Sequence, residues 1–173
     1  MRITALSAAA ALLVLSVSTS LSAQRPDSQI DPRSVELVRQ ARAAQGAGNL
    51  GGANDLLETA LAVDPRNREA FVLLADIARA QSLPGKAIRF YGEALKLDPN
   101  DLVALRGQGE AMVSKGAIER AKENLTKINT ICKTACADAA TLAASIAKGP
   151  PPTPVAANEA ATKGEAKKED AKP

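Results

Sequence analysis

Cys132 and Cys136, four residues apart, and Asp76 and Glu110, 34 residues apart, are the side chains in this sequence best suited to chemistry. A thiol pair can exchange with a disulfide, and a carboxylate pair can divide general acid and base work. Histidine is absent from the whole chain. That removes the usual general base, the usual activator of a nucleophile and the commonest metal ligand together. The cysteine spacing is not the C-x-x-C of thioredoxin-like redox motifs, and no strand-rich pattern surrounds it. The expectation is therefore a protein that is not an enzyme and needs no cofactor or metal. Thiol-redox chemistry at Cys132 and Cys136, or hydrolysis through Asp76 and Glu110, stand as the enzymatic alternatives.

Charge and aromatic content narrow the partners. The formal charge is +3, falling to +2 if the segment carrying Arg2 is removed. A balance so near zero speaks against a nucleic-acid or anionic-membrane binder, which shows a basic patch. With one tyrosine, two phenylalanines and no tryptophan, the platforms on which bases stack are missing too.

Both ends of the chain read as separate from the folded part. Arg2, the apolar and small residues Ala5 to Val17, and Leu21-Ser22-Ala23 form a signal-peptide pattern over residues 1–23. The apolar run falls short of the roughly 20 residues needed to span a bilayer. The chain is thus expected to be exported, and its alanine richness points to a bacterial periplasm. Secretion and an uncleaved N-terminal anchor are the alternatives, and no membrane insertion is expected after cleavage. Residues 24–33 read as a short linker. From Gly149 the composition turns to proline, alanine, lysine and glutamate, with four lysines against four acidic residues, so 149–173 reads as a disordered tail.

Between these ends the punctuation is periodic. Asp64-Pro65 and Asp98-Pro99 lie 34 residues apart, and each follows an Ala-Leu pair. The inner breaks at 45–53, 81–87 and 114–121 keep the same interval. The units run 34–67, 68–101 and 102–135, each reading as two helices around a turn. In the middle unit Asn67 reads as an N-cap, Pro84 sits in the first turn of the second helix, and Asp-Pro ends it. Phe71, Leu74, Ile88, Tyr91 and Leu95 form the apolar stripe, while Ala75, Ala78, Ala87 and Ala94 stand where the two helices must approach closely.

This pattern resembles the tetratricopeptide repeat, a 34-residue helix-turn-helix unit. Phe71, Leu74, Ala75, Ala78, Ala87, Tyr91, Ala94 and Pro99 carry the resemblance in the middle unit. Leu37, Ala41, Ala53, Leu57, Ala60 and Pro65 carry it in the first, and Leu105, Gly109, Met112, Ala121 and Leu125 in the third. Ile128 and Lys133 depart from the pattern. The expected fold is all-α: a helical-hairpin repeat array, or α-solenoid, of three repeats and a C-terminal capping helix over 135–148, the whole domain spanning 34–148. Thr134 is the expected N-cap of that last helix, with Ala139, Leu142, Ala143 and Ile146 on its inner side.

Cys132 and Cys136 bracket the turn into the cap. In an oxidising compartment they read as a disulfide, provided the backbone between them is not a regular helix. Buried reduced thiols and a redox-active pair are the other readings. Asn124-Leu125-Thr126 matches a glycosylation acceptor but falls within an expected helix, where such sites are disfavoured.

The resemblance implies that the first helix of each repeat lines a concave groove. Its expected lining is Val38, Arg42, Val72, Asp76, Arg79, Arg106, Glu110 and Val113, with Arg42, Asp76 and Glu110 at equivalent places. The implied role is a protein-binding scaffold that takes a peptide or helix in this groove, with homo-oligomers possible; a structural envelope component is the alternative. Arrays of this kind that capture a C-terminal carboxylate use lysines, asparagines and an arginine at places that carry Val38, Arg42, Val103 and Gly107 here. Such capture is not expected.

Overall fold

The computed structural model describes residues 29–151. The expected signal segment, the first half of the linker (24–28) and the tail beyond residue 151 lie outside the described residues. Within these, seven helices and no strands occur: α1 (Pro32–Gly46), α2 (Leu50–Val63), α3 (Arg68–Ala80), α4 (Pro84–Leu97), α5 (Leu102–Ser114), α6 (Ile118–Cys132) and α7 (Ala137–Lys148). The fold is all-α and of the helical-hairpin repeat class.

The helix ends follow from local chemistry. Asp31 accepts a hydrogen bond from the Arg33 N–H at 2.8 Å, with Pro32 at the first helical position of α1. Asn49 caps α2 through the Gly52 N–H at 2.9 Å, and Asn67 receives the Ala70 N–H at 3.3 Å. Helices α2 and α4 end at Val63 and Leu97, where Asp64 and Asp98 are extended ahead of their prolines.

The inner turns share one geometry. Gly48, Ser82 and Gly116, spaced 34 residues apart, have φ of +78°, +58° and +77°. Each donates its N–H to the carbonyl three residues back, and the following residue donates to the carbonyl five back. This is the Schellman closure, which requires a left-handed residue. The middle turn meets that requirement with a serine.

The described residues divide into two compact units, with the boundary between Ala70 and Phe71. In the first, α1 packs on α2 through Val38, Ala41, Ala53, Leu57 and Ala60, all buried. A polar lock closes this unit. Ser34 Oγ donates to the Ala60 carbonyl at 2.8 Å, and Asn67 Nδ2 donates to Ser34 Oγ at 2.8 Å. Asp64 accepts from the Asp31 N–H at 3.0 Å and pairs with Arg66 at 2.9 Å.

In the second unit the core around α4 is built almost wholly of alanine: Ala75, Ala78, Ala87, Ala94, Ala104 and Ala111, with Tyr91 as its one large fully buried member. Gly107 makes room for that ring. A Cβ there would collide with Tyr91 Cζ and Oη and lie 2.7 Å from Cε1. Helix α5 packs on α4, α6 and α7, and α6 packs on α7. Leu142 of α7 seats on Gly109, where a Cβ would lie 2.7 Å from both Leu142 methyls. Ile128, which departs from the repeat pattern, is fully buried against Leu105, Ala139 and Leu142. Its larger side chain fills the space under the cap.

Two expectations for the cap are corrected. Thr134 does not cap α7; its hydroxyl turns back to the Cys132 carbonyl at 3.3 Å, and the N-cap position is Cys136, with no side-chain cap. The reason is Lys133, whose left-handed φ of +53° ends α6 and carries the chain past Thr134 before α7 starts. Ala143 is exposed, and the inner side of α7 is Ala139, Leu142 and the half-buried Ile146.

Candidate partner-binding face

In the second unit the expected groove residues converge on a charged network built around Tyr91. Its hydroxyl donates to Asp76 Oδ1 at 2.5 Å and accepts from Arg79 Nη1 at 3.4 Å. The other end of the Arg79 guanidinium pairs with Glu110 through Nη2. Glu110 also takes Arg106 Nη1 at 3.3 Å, and Arg106 Nε donates to Asp138 at 2.8 Å. The chain of contacts runs from α3 through α4 and α5 to the cap.

Burial gives this network its character. The Glu110 side chain is 11% exposed, against 33% for Arg79 and 27% for Arg106. A solvated pair of this kind contributes little; a half-buried one that loses a partner leaves a charge poorly hydrated. Burial pushes the Tyr91 phenol above its ordinary value, opposed by Arg79 and reinforced by the Asp76 charge. Burial also works against the Arg79 cation, but Tyr91, Glu110 and Asp76 outweigh it and hold that group more firmly protonated than usual.

Asp76 and Arg79 form one wall of a cleft of about 570 Å³, completed by Ala80, Ser82, Pro84, Ala111, Ser114 and Pro151. Val72 is half-buried against the alanine core. Val113, by contrast, is 3% exposed. It packs with Met112 and Ala121 and is not part of the cleft wall beside Asp76 and Arg79. Helix α5 is enclosed by three helices, so its buried residues run nearly all the way round it and its pattern does not reveal an open side.

In the first unit Arg42 is exposed and pairs with Glu69 at 2.7 Å. Val38 is 3% exposed, on the same helical stripe as buried Ser34 and Ala41. It too belongs to the core, not to a surface. Sequence reasoning missed Tyr91 and Asp138 as members of the charged network. The one usable signal was that a lone tyrosine among alanines needs a partner for its hydroxyl.

Cys132 and Cys136 lie across the α6–α7 turn with Cα atoms 6.2 Å apart and sulfurs at bonding distance, and the intervening backbone is not helical. Asn124 Nδ2, the glycan acceptor atom of the Asn-Leu-Thr motif, donates to the Leu105 carbonyl and to Gln108 Oε1, both at 3.0 Å. Among the described residues no group of three or more His, Cys, Asp or Glu is placed to hold a metal. No helix among them is long and apolar enough to cross a membrane.

No family model and no curated protein matches the sequence. Solved structures do match. The TPR (tetratricopeptide repeat) domain of Sgt2 from Aspergillus fumigatus aligns at 23% identity and TM-score 0.63, over 72% of this chain and 83% of that one. The first TPR domain of RPAP3 (Spaghetti), bound to the HSP90 peptide SRMEEVD, aligns at 16% identity and TM-score 0.62, over 67% and 91%. The Thermobaculum terrenum O-GlcNAc transferase aligns at 22% identity and TM-score 0.59, over 66% of this chain and 22% of that one. The fold is thus TPR-like.

Proposed function

We propose that this chain is an exported, periplasmic adaptor that binds another protein, as a peptide or a helix, along the face carried by α3 and α5, without catalysing a reaction. The observation that carries the proposal is the cleft beside Asp76 and Arg79 in a TPR-like fold. The likeness to an RPAP3 domain with a peptide bound supports it. The site pattern argues for a different ligand class from a carboxylate terminus. At the places that would hold such a terminus, Val38 is buried, Arg42 is paired with Glu69, and Gly107 faces the Tyr91 ring.

Cys132 and Cys136 serve this role as a structural cystine that staples the cap, on the support of their separation and of an oxidising compartment. The export signal supports the compartment. The partner rests on mixed charge and apolar walls, which suit an extended peptide better than nucleic acid.

The test is in-cell photo-crosslinking from a reactive side chain replacing exposed Ala80 on the cleft wall. Lys122, on the exposed face of α6, serves as control. A discrete adduct in the exported fraction from position 80 and none from 122 is expected. Equal labelling from both positions, or none from either, refutes the adaptor reading.

A further inference from the structure

The cleft that the adaptor reading assigns to a partner has an occupant nearer at hand. We propose that the chain's own C-terminal segment, beginning at Pro152 and centred on Pro-Thr-Pro-Val, docks into the cleft formed by α5 and the α3–α4 turn. The described part of the chain already leads there. Gly149, at φ +76°, ends α7 by donating its N–H to the Ser145 and Ile146 carbonyls and turns the backbone aside. Pro150 and Pro151 then run past Val113, Ser114 and Ser145 along an adjoining recess of about 340 Å³. Pro151 itself forms part of the cleft wall. The described residues therefore lead up to the cleft and reach it at Pro151.

The segment's chemistry matches what it meets. Residues 152–157 read Pro-Thr-Pro-Val-Ala-Ala and carry no charge; the first acidic residue is Glu159. The cleft wall offers Ala80, Pro84 and Ala111 as apolar surface, and its two charged members are already engaged, Asp76 by Tyr91 and Arg79 by Glu110. An uncharged segment fits such a wall without stranding an ion. Prolines 152 and 154 bias the backbone to the extended polyproline form, at about 3.1 Å per residue, so six residues reach roughly 19 Å. That form leaves its carbonyls free to accept hydrogen bonds, and the exposed Ser82 hydroxyl flanks the cleft as a donor, while Ser114 gives its own to the Glu110 carbonyl at 3.1 Å. A segment restricted by proline also loses little entropy on docking.

The consequence for partner binding, that tail and partner compete for one wall, rests on the adaptor reading. The docking does not, and the experiment reads docking alone. The full chain is purified with a photo-crosslinking side chain in place of Val155, as an equal mixture of isotopically light and heavy protein, and cross-linked peptides are mapped by mass spectrometry. Cross-links within one molecule to residues 80–84 or 111–114 are expected. Ser114→Arg, at the exposed last position of α5, should abolish them and leave the circular dichroism and melting temperature unchanged. In a second full-chain variant, Val155→Asp, amide shift changes should appear at Ser82, Leu83 and Ser114. Cross-links scattered over the surface, or amide changes confined to residues beyond Lys148, overturn the proposal. So do light–heavy pairs, which would assign the cleft to the tail of a second copy.

Discussion

Tyr91→Phe tests whether the charged network holds the second unit together. The substitution keeps the ring that fills the space over Gly107 and removes only the hydroxyl. That hydroxyl gives Asp76 a 2.5 Å bond and takes a 3.4 Å bond from Arg79. Hydrogen bonds to charged groups contribute about 1.5–3 kcal/mol each. The Arg79 bond is at the long limit, and Asp76 lines a cleft where water can replace the hydroxyl, so the lower figure applies, about 1.5 kcal/mol. With a urea slope of about 1.5 kcal/mol per molar, the midpoint should fall by about 1 M. The chain's single tyrosine and lack of tryptophan permit a second, independent reading. Tyrosinate absorbance should develop above the ordinary value of 10.0 in the folded protein and near it in denaturant. Because the folded phenol holds its proton more tightly, the associated stability is complete below that ordinary value and is lost as pH rises through the raised one. Tyr91→Phe should lose this alkaline limb. A midpoint shift under about 0.3 M, together with an unchanged alkaline limb, would refute the network's role.

The remaining predictions concern backbone, cystine and acid response. Gly107→Ala should destabilise by about 1–2 kcal/mol, since overpacking against the pinned Tyr91 ring exceeds the helix-propensity gain; Gly92→Ala, whose Cβ would meet only Gln108 Nε2 at 3.5 Å, should instead stabilise by about 0.5–1 kcal/mol in the same urea titrations. Ser82→Gly should add about 1 kcal/mol, because glycine adopts φ +58° without a Cβ penalty. Replacing Cys132 and Cys136 together by serine should cost about 2 kcal/mol on the loop-entropy estimate; the thermal midpoint of the unreduced protein should drop to that of the reduced one, and unchanged melting would remove the staple. Backbone N–H groups of Arg66 and Asp31 and the Arg66 guanidinium overcome the burial of Asp64 and hold its carboxyl below 3.8. Its stabilisation is therefore present above that value and lost as pH falls through the lowered one. Asp64→Asn should flatten the acid limb of thermal unfolding that develops as pH falls below 3.8.

Which features were legible in the sequence follows from their range. The 34-residue interval, the Asp-Pro stops, the cap at Asn67 and the first-turn proline at Pro84 are set by residues a few positions apart, and the helices begin and end with them. The break at 81–87 was legible in the same way, but the left-handed φ of Ser82 within it was not, because a serine gives no signal for the closure that Gly48 and Gly116 mark in the other turns. Val38 was misplaced although it shares one buried stripe with Ser34 and Ala41; Val113 was misplaced for a different reason. On a helix packed from several sides, such as α5, the apolar pattern has no gap to mark the open face.

Composition and period alone determine that this chain builds helical hairpins, because capping, proline stops and alanine spacing act within a few residues of one another. Which carboxylate meets which arginine, and that Tyr91 lies between them over a glycine one repeat later, was decided only by packing. Those contacts join residues 12 to 32 positions apart, and nothing in a linear pattern records which side chains close tertiary approach will bring together.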